Sequence, residues 1–144
     1  MEDSLSAGFS SNTKTVSPVI TDGAFGYHNV NVDAEEKDAS SLLNWMIKMI
    51  HLRKNIPAIS FGNWNFIKTN NEHVIAIHYD WNGSSIITIH NLSNDAQQTE
   101  LNFEDNVDEI KSMLNNNQQK ADRNKIKLQL QGYGYDWYKI ISLK

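Results

Sequence analysis

Residues 74–92 read VIAIHYDWNGSSIITIHNL, and this stretch decides the fold because it predicts two antiparallel strands joined by a tight turn. A two-residue turn at Asn82 and Gly83 would pair Tyr79 with Ile86. A three-residue loop would pair Tyr79 with Ser85 instead. Because a half-buried antiparallel pair needs one apolar face, we expect the three-residue loop. It gathers on one face the side chains of Ile75, Ile77, Tyr79, Ile87 and Ile89.

Short strands with turns between them continue along the rest of the chain. The stretch 106–122 is rich in Asn, Gln and charge, and it predicts either one helical turn around Ile110 and Leu114 or a weak edge strand. The whole pattern predicts a mainly β fold over 59–144, an antiparallel β-sandwich with Greek-key connections. The further predicted strands cover 64–69, 98–103, 125–131 and 137–143.

One strongly apolar helix precedes these strands. Residues 40–57 read SSLLNWMIKMIHLRKNIP, and their spacing predicts a helix over about 39–55 with Asp38 as its N-cap. Pro57 ends the helix, because the residue before a proline avoids the α region. Apolar side chains lie on nearly every side of this helix, so it needs partners on nearly every side. Residues 1–37 are polar and non-periodic, which predicts a long N-terminal loop that cannot bury it.

The composition excludes several classes of function. The chain has 144 residues and a net charge of −4, so it offers no basic surface for nucleic acid or for anionic lipid. It contains no cysteine, which excludes disulfides and thiolate metal sites and favours a cytoplasmic protein. We find no secretory signal and no apolar run of about 18 residues, and we expect no membrane partner. Metal-ligand spacings and phosphate-binding glycine motifs are absent as well, so we expect no metal and no cofactor.

A series of short motifs resembles one enzyme family over most of the chain. The motifs are dense up to Pro57 and looser afterwards, where Asn91-Leu92-Ser93 and the aromatic segment 132–138 continue the likeness. They resemble the end of the catalytic domain and the C-terminal domain of trehalose synthase (maltose glucosyltransferase) in the α-amylase superfamily. The dense motifs are Ala7-Gly8-Phe9-Ser10, Ser17-Pro18-Val19-Ile20, Asp22-Gly23, Phe25-Gly26-Tyr27, Val30-Asn31-Val32, Ser41-Leu42-Leu43-Asn44-Trp45-Met46 and Arg53-Lys54.

The resemblance implies two parts. Residues 1–58 would be the end of a (β/α)8 catalytic barrel, with the loop 1–37 and the helix 39–55, and residues 59–144 would be the C-terminal β-sandwich. A complete barrel takes about 250 residues, so this chain cannot contain one. The family's catalytic aspartates and acid glutamate precede the Ala-Gly-Phe-Ser motif, and we therefore expect no catalytic residue here. The chain would be a non-catalytic fragment that stabilises or completes an enzyme of maltose and trehalose interconversion, with the missing barrel as its partner.

The resemblance also implies former contacts to the sugar, at Phe9, Tyr27 and Asn31. The glutamine that usually follows the family's Val-Asn-Val motif is Glu35 here, which is a departure from the pattern. Glu35 lies in an acidic cluster over 33–38. We interpret this cluster as a solvated run near a helix N-terminus rather than as a pair of catalytic carboxylates.

Aromatic side chains provide a second hypothesis. Trp81, Trp137 and Tyr138 could stack on sugar rings, because their flat apolar faces carry a polar edge. The chain would then be a self-standing carbohydrate-binding module for α-glucosides; the alternative is that these rings form core and an interface with the barrel. Without a barrel, the helix 39–55 would leave apolar surface and promote self-association. No feature supports a third hypothesis, an enzyme with its own site.

Overall fold

The computed structural model describes residues 5–8, 10–12 and 14–141. Two compact units divide the chain, Met1–Asn55 and Ile56–Lys144. The first contains a short 3-10 helix, Leu5–Gly8, and the helices α1 (Val32–Lys37) and α2 (Leu42–Lys54), and the second begins with α3 (Pro57–Phe61). None of the helices among the described residues is long and apolar enough to cross a membrane.

The helices differ in part from the prediction. Helix α2 confirms the predicted apolar helix, but Ser41 rather than Asp38 is its N-cap, and the Ser41 hydroxyl accepts a hydrogen bond from the Asn44 backbone at 3.1 Å. Helix α1 lies in the stretch predicted as loop, and Asn31 caps it. Pro57 also begins α3, where the first turn does not need its missing N–H. The prediction of a single helix is therefore wrong.

The second unit continues as antiparallel strands in two sheets. The strands are β1 (Asn63–Phe66), β2 (Val74–Trp81), β3 (Ser84–Asn91), β4 (Gln97–Asn102), β5 (Glu109–Ser112), β6 (Gln118–Lys120), β7 (Lys125–Leu130) and β8 (Tyr135–Ile141). The larger sheet has six strands in the order β1-β2-β3-β8-β5-β6, and the smaller sheet pairs β4 with β7. The β3–β4, β4–β5, β6–β7 and β7–β8 connections all cross between the sheets. This arrangement confirms a mainly β antiparallel fold. The stretch 106–122 contains β5, which lies inside the larger sheet, and β6, which is its edge strand. The alternative of a helical turn around Ile110 is therefore wrong.

The central hairpin of β2 and β3 contradicts the predicted loop length. Tyr79 pairs with Ile86, so the loop has only Asn82 and Gly83. Both residues have positive φ, 48° and 77°, as a two-residue type I′ turn requires. The predicted pairing of Tyr79 with Ser85 is therefore wrong. It rested on the assumption of one apolar face, whereas both faces of this hairpin are apolar.

One face of the hairpin forms the core with the small sheet. Ile87, Ile89 and Leu101 are completely buried there. Fully burying a side chain of this size stabilises a fold by about 1.5–3 kcal/mol relative to leaving it exposed. The core cluster also contains Val74, Ala76, Val107, Ile110, Ile126, Leu128, Leu130 and Tyr138.

The opposite face of the larger sheet is covered in part by α3, which packs against β2 and β3. Ile56, at the N-cap of α3, and Ala58 within it are 3% and 0% exposed. Beneath them, Ile86 and Thr88 of β3 are buried as well. The short helix therefore provides a second, smaller core, and the rest of this sheet face is left without a layer of the second unit above it.

Candidate functional site

The candidate site is this second face, which we call the outer face: the side chains of the six-stranded sheet that point away from the main core. Cross-strand pairing places Phe66, Ile77, Thr88 and Trp137 in one row across four strands. A neighbouring row begins with Trp64 beside Tyr79. The solvated face of an antiparallel sheet is normally polar. The row is unusual in being apolar and aromatic at three of its four positions; Thr88 within it is buried, and Phe66 is its exposed end.

The most exposed part of the outer face is the edge strand β1. Trp64 and Phe66 are 62% and 59% exposed, and their rings meet edge to face with centroids 5.6 Å apart. Nearby, Phe61 at the end of α3 is 70% exposed and lies 6.0 Å from the ring of Trp81. The predicted site did not include Trp64 and Phe66. The alternation Trp-Asn-Phe over 64–66 is the signal that identifies them, because it puts both rings on one face.

Two further side chains on the outer face, Trp137 and His90, carry polar groups that are at least partly buried. The Nε1 donor of Trp137 is buried and has no acceptor among the described residues, which costs about 1–3 kcal/mol. His90 stacks on Tyr135 with ring centroids 6.1 Å apart, and burial lowers the pKa of His90. The outer face thus contains an unpaired donor and an imidazole whose pKa is lowered by burial.

The structure separates the aromatic residues predicted to contact sugar. Trp81 is 38% exposed and Trp137 is half-buried, and strand alternation places both on the outer face. Tyr138 points to the opposite face, is 9% exposed and belongs to the main core. Burial and the neighbouring Asp136 carboxylate raise the pKa of Tyr138. Tyr138 therefore does not share a surface with the two tryptophans.

The N-terminal candidates lie in the first unit. Phe9 is outside the described residues. Asn31 accepts from the Ala34 backbone at 2.8 Å as the cap of α1, and its Nδ2 donates to the Tyr27 carbonyl at 3.0 Å. Tyr27 is half-buried, with its ring beside that of His28. The structure brings Tyr27 and Asn31 together through helix capping, and their contact with a sugar stays a prediction.

The acidic cluster is occupied by local interactions. Asp33 pairs with Lys37 at 3.2 Å, and hydrogen bonds from Ser40, first from its side chain and then from its backbone, lower the pKa of Asp38. Among the described residues, no group of three His, Asp or Glu side chains could hold a metal ion. A residue that the prediction missed, Asn44, donates through Nδ2 to the carbonyls of Glu35, Glu36 and Asp38. It ties α1 to α2.

Comparison with known proteins places this architecture in a family context. Residues 83–139 match the family described as the C-terminal domain of sucrose hydrolase-like proteins. The chain is similar to the trehalose synthase of Pimelobacter sp. (strain R48), with 34% identity over 102 residues that cover 67% of this chain and 18% of that protein. It is also similar to the α-glucosidase of Apis mellifera, with 34% identity over 117 residues that cover 81% of this chain and 20% of that protein. The chain spans about a fifth of the length of these curated relatives.

Solved structures show the same fold. The crystal structure of AmyP in complex with maltose matches with a TM-score of 0.63 and 20% identity, over 82% of this chain and 22% of that chain. An Anoxybacillus α-amylase matches with a TM-score of 0.62 and 14% identity, over 72% of this chain and 23% of that chain. The antiparallel fold is therefore that of the C-terminal β domain of amylase-type enzymes, and the predicted resemblance to this enzyme family is confirmed.

Proposed function

Because this chain carries a C-terminal domain of the sucrose hydrolase-like family, we propose that it is the non-catalytic part of a trehalose synthase-like enzyme. Its role is to cover and stabilise a (β/α)8 catalytic domain. The parent enzyme interconverts maltose and trehalose with retention, through a carboxylate nucleophile and an acid/base partner. In this proposal the chain does not catalyse the step alone, because the family's catalytic carboxylates precede the Ala-Gly-Phe-Ser motif.

The single observation that carries the proposal is the apolar outer face. A surface that exposes Trp64, Phe66 and Phe61 together is costly in water and is typical of an interface. The chain spans about a fifth of the length of its relatives, and the proposed partner corresponds to the remainder of their length.

We propose that residues 1–58 are the end of that catalytic domain, and the first unit, Met1–Asn55, fits this proposal. Helix α2 has no buried residue, although Leu42, Trp45 and Ile50 are among its side chains. In the free chain this helix promotes self-association. Light scattering of the full chain at increasing concentration tests this point, and a monomer throughout contradicts it.

A test of the proposed function uses the catalytic domain of the Pimelobacter trehalose synthase, expressed without its own C-terminal part. We expect the full chain to co-elute with it in size-exclusion chromatography and to raise its melting temperature. The matched control is Tyr133→Asp, which changes an aromatic side chain that is 70% exposed in the β7–β8 turn. Failure of the unmodified chain to co-elute contradicts the proposal.

The second candidate function is a self-standing carbohydrate-binding module. Trp81 and Trp137 favour it, because they share the outer face and could stack on an α-glucoside. Two results together would support this alternative. The unmodified chain would bind an α-glucoside but not the catalytic domain, and Trp81→Ala would abolish the sugar binding.

We also propose a cytoplasmic location. The absence of cysteine supports it, because exported proteins often rely on disulfides. Fractionation of cells that express the tagged gene tests it.

A further inference from the structure

A second surface of the β-sandwich is polar and concave. One hollow of about 430 Å³ lies between β6, β7 and β8, and a second of about 570 Å³ lies over β4 and β7. They share Gln119, Leu128 and Gln129 and are therefore adjacent, and we call the two hollows together the amide groove. Both volumes are in the range of about 300–1,000 Å³ that small-molecule sites occupy.

Side-chain amides form most of the polar lining. Gln98 and Gln129 are directly opposite each other on β4 and β7, so their Cβ atoms are about 4.5–5.5 Å apart. Gln119 reaches across from β6, and its Nε2 donates to the Lys127 carbonyl at 2.9 Å. Among the described residues, the side chains of Gln98 and Gln129 form no hydrogen bond. Of these three glutamines, one is therefore fixed and two are free, each with donors and acceptors.

One end of the groove has a rigid polar floor. Asp136 lines it and is 8% exposed. Its Oδ1 accepts from the Ser112 hydroxyl and from the Trp137 backbone, each at 2.7 Å. In the described part of the chain, no cation pairs with this carboxylate at salt-bridge distance. A buried carboxylate without a cation favours hydrogen-bond donors as neighbours.

The charge of the groove excludes a strongly charged ligand. Glu100 pairs with Lys125 at 3.1 Å, and the other two charged lining residues, Lys127 and Asp136, have opposite signs. Leu128 and Tyr138 are the two core residues among its lining residues. A ligand that suits this surface is neutral, polar and rich in hydroxyl groups.

We propose that the amide groove binds a short neutral oligosaccharide, whose hydroxyls donate to Asp136 and exchange hydrogen bonds with Gln119 and Gln129. The choice of α-linked glucose units rests on the proposed function. The inference of a neutral, hydroxyl-rich ligand rests only on the residues that line the groove. This site is distinct from the outer face, so an oligosaccharide could occupy it while the outer face is covered.

An extended peptide is the competing ligand, because the free edge of β7 borders the groove and could accept an added strand. The Gln119 amide already occupies the Lys127 carbonyl on that edge. This contact disfavours strand addition, and we therefore favour the sugar.

The test is an amide NMR titration of the full chain with maltotriose, with a hexapeptide of alternating threonine and valine as the competing probe. We expect saturable shifts of the Gln119 and Gln129 side-chain amides with maltotriose. Gln129→Ala should weaken binding about fivefold, equivalent to one net hydrogen bond. The matched control is Gln131→Ala, an exposed glutamine outside the groove lining, which should bind normally.

Three outcomes would overturn the proposal. They are no saturable shift with maltotriose, shifts that map to Trp64 and Trp81 instead, and shifts of the 125–130 backbone with the hexapeptide alone. The variant Trp64→Ala distinguishes a test of the groove from a test of the proposed function. It should leave maltotriose binding unchanged and weaken only the binding of the catalytic domain.

Discussion

Trp64 and Phe66 meet edge to face on β1, with ring centroids 5.6 Å apart, and both rings remain more than half exposed. Such a ring pair contributes about 0.5–1.5 kcal/mol of interaction energy in addition to the energy from the area it buries. The two rings also hold each other in place before any partner arrives. A preordered aromatic pair of this kind is typical of the energetic centre of an interface.

We predict that Trp64→Asp weakens binding of the catalytic domain by about 2 kcal/mol or more, as expected for an aromatic hot spot. The cause is the burial of a charge under the partner together with the loss of ring contacts. Isothermal titration calorimetry measures the effect, with Tyr133→Asp as the control. Equal losses in both variants would show that charge in general, rather than this ring, is responsible.

A second prediction concerns the main core. Ile87→Ala should destabilise the β-sandwich by about 2–5 kcal/mol, because Ile87 is completely buried and its removal leaves a cavity. Ile47→Ala on α2 should have little effect, since Ile47 is 43% exposed. Urea unfolding monitored by tryptophan fluorescence compares the two variants. Similar midpoints would contradict the assigned core.

Two glycines should differ in their tolerance of alanine. A Cβ at Gly83 would meet no atom within 4 Å, so only its positive φ of 77° opposes substitution. A Cβ at Gly132 would lie 1.9 Å from the Asn94 carbonyl oxygen, a contact that only a backbone shift can relieve. We expect Gly83→Ala to cost about 1 kcal/mol, and Gly132→Ala to cost more. The reverse order in urea unfolding would contradict the close approach of the two turns.

The pH dependence of stability should report His90. Burial lowers its pKa in the folded state below the ordinary value of 6.5, so the unfolded chain binds the proton more tightly. The stabilisation is complete above about pH 6.5, and it decreases as the pH falls through 6.5 towards the folded pKa. His90→Gln should remove this part of the dependence in melting curves between pH 5 and 8. An unchanged slope in the variant would assign the effect to other groups.

Most of the strands and the apolar helix α2 could be predicted from the sequence, because local periodicity determines them. The register of the β2–β3 hairpin could not, because Ile86 and Ile87 are both buried and alternation no longer distinguishes the faces. Helices α1 and α3 were missed because they are short. The first depends on the Asn31 cap and the second on Pro57, neither of which gives a periodic signal.

The candidate site was predictable only in part. Trp81 and Trp137 do lie on the outer face, but the burial of Tyr138 depends on which face packs against β4 and β7. The pairing of strands that are distant in sequence determines which face of β8 packs against the small sheet, and a local sequence pattern does not contain this information. The amide groove was not predicted either, since Gln98, Gln119 and Gln129 lie on three different strands and come together only in the folded sandwich.

The most direct test of the account is hydroxyl-radical footprinting of the full chain with and without the catalytic domain of the related trehalose synthase. We predict that oxidation of Trp64, Phe66 and Phe61 falls sharply in the complex, while Tyr133 is oxidised as before. This result would show that the outer face is covered. Unchanged oxidation of Trp64 and Phe66 in a mixture that does form a complex would contradict the central claim.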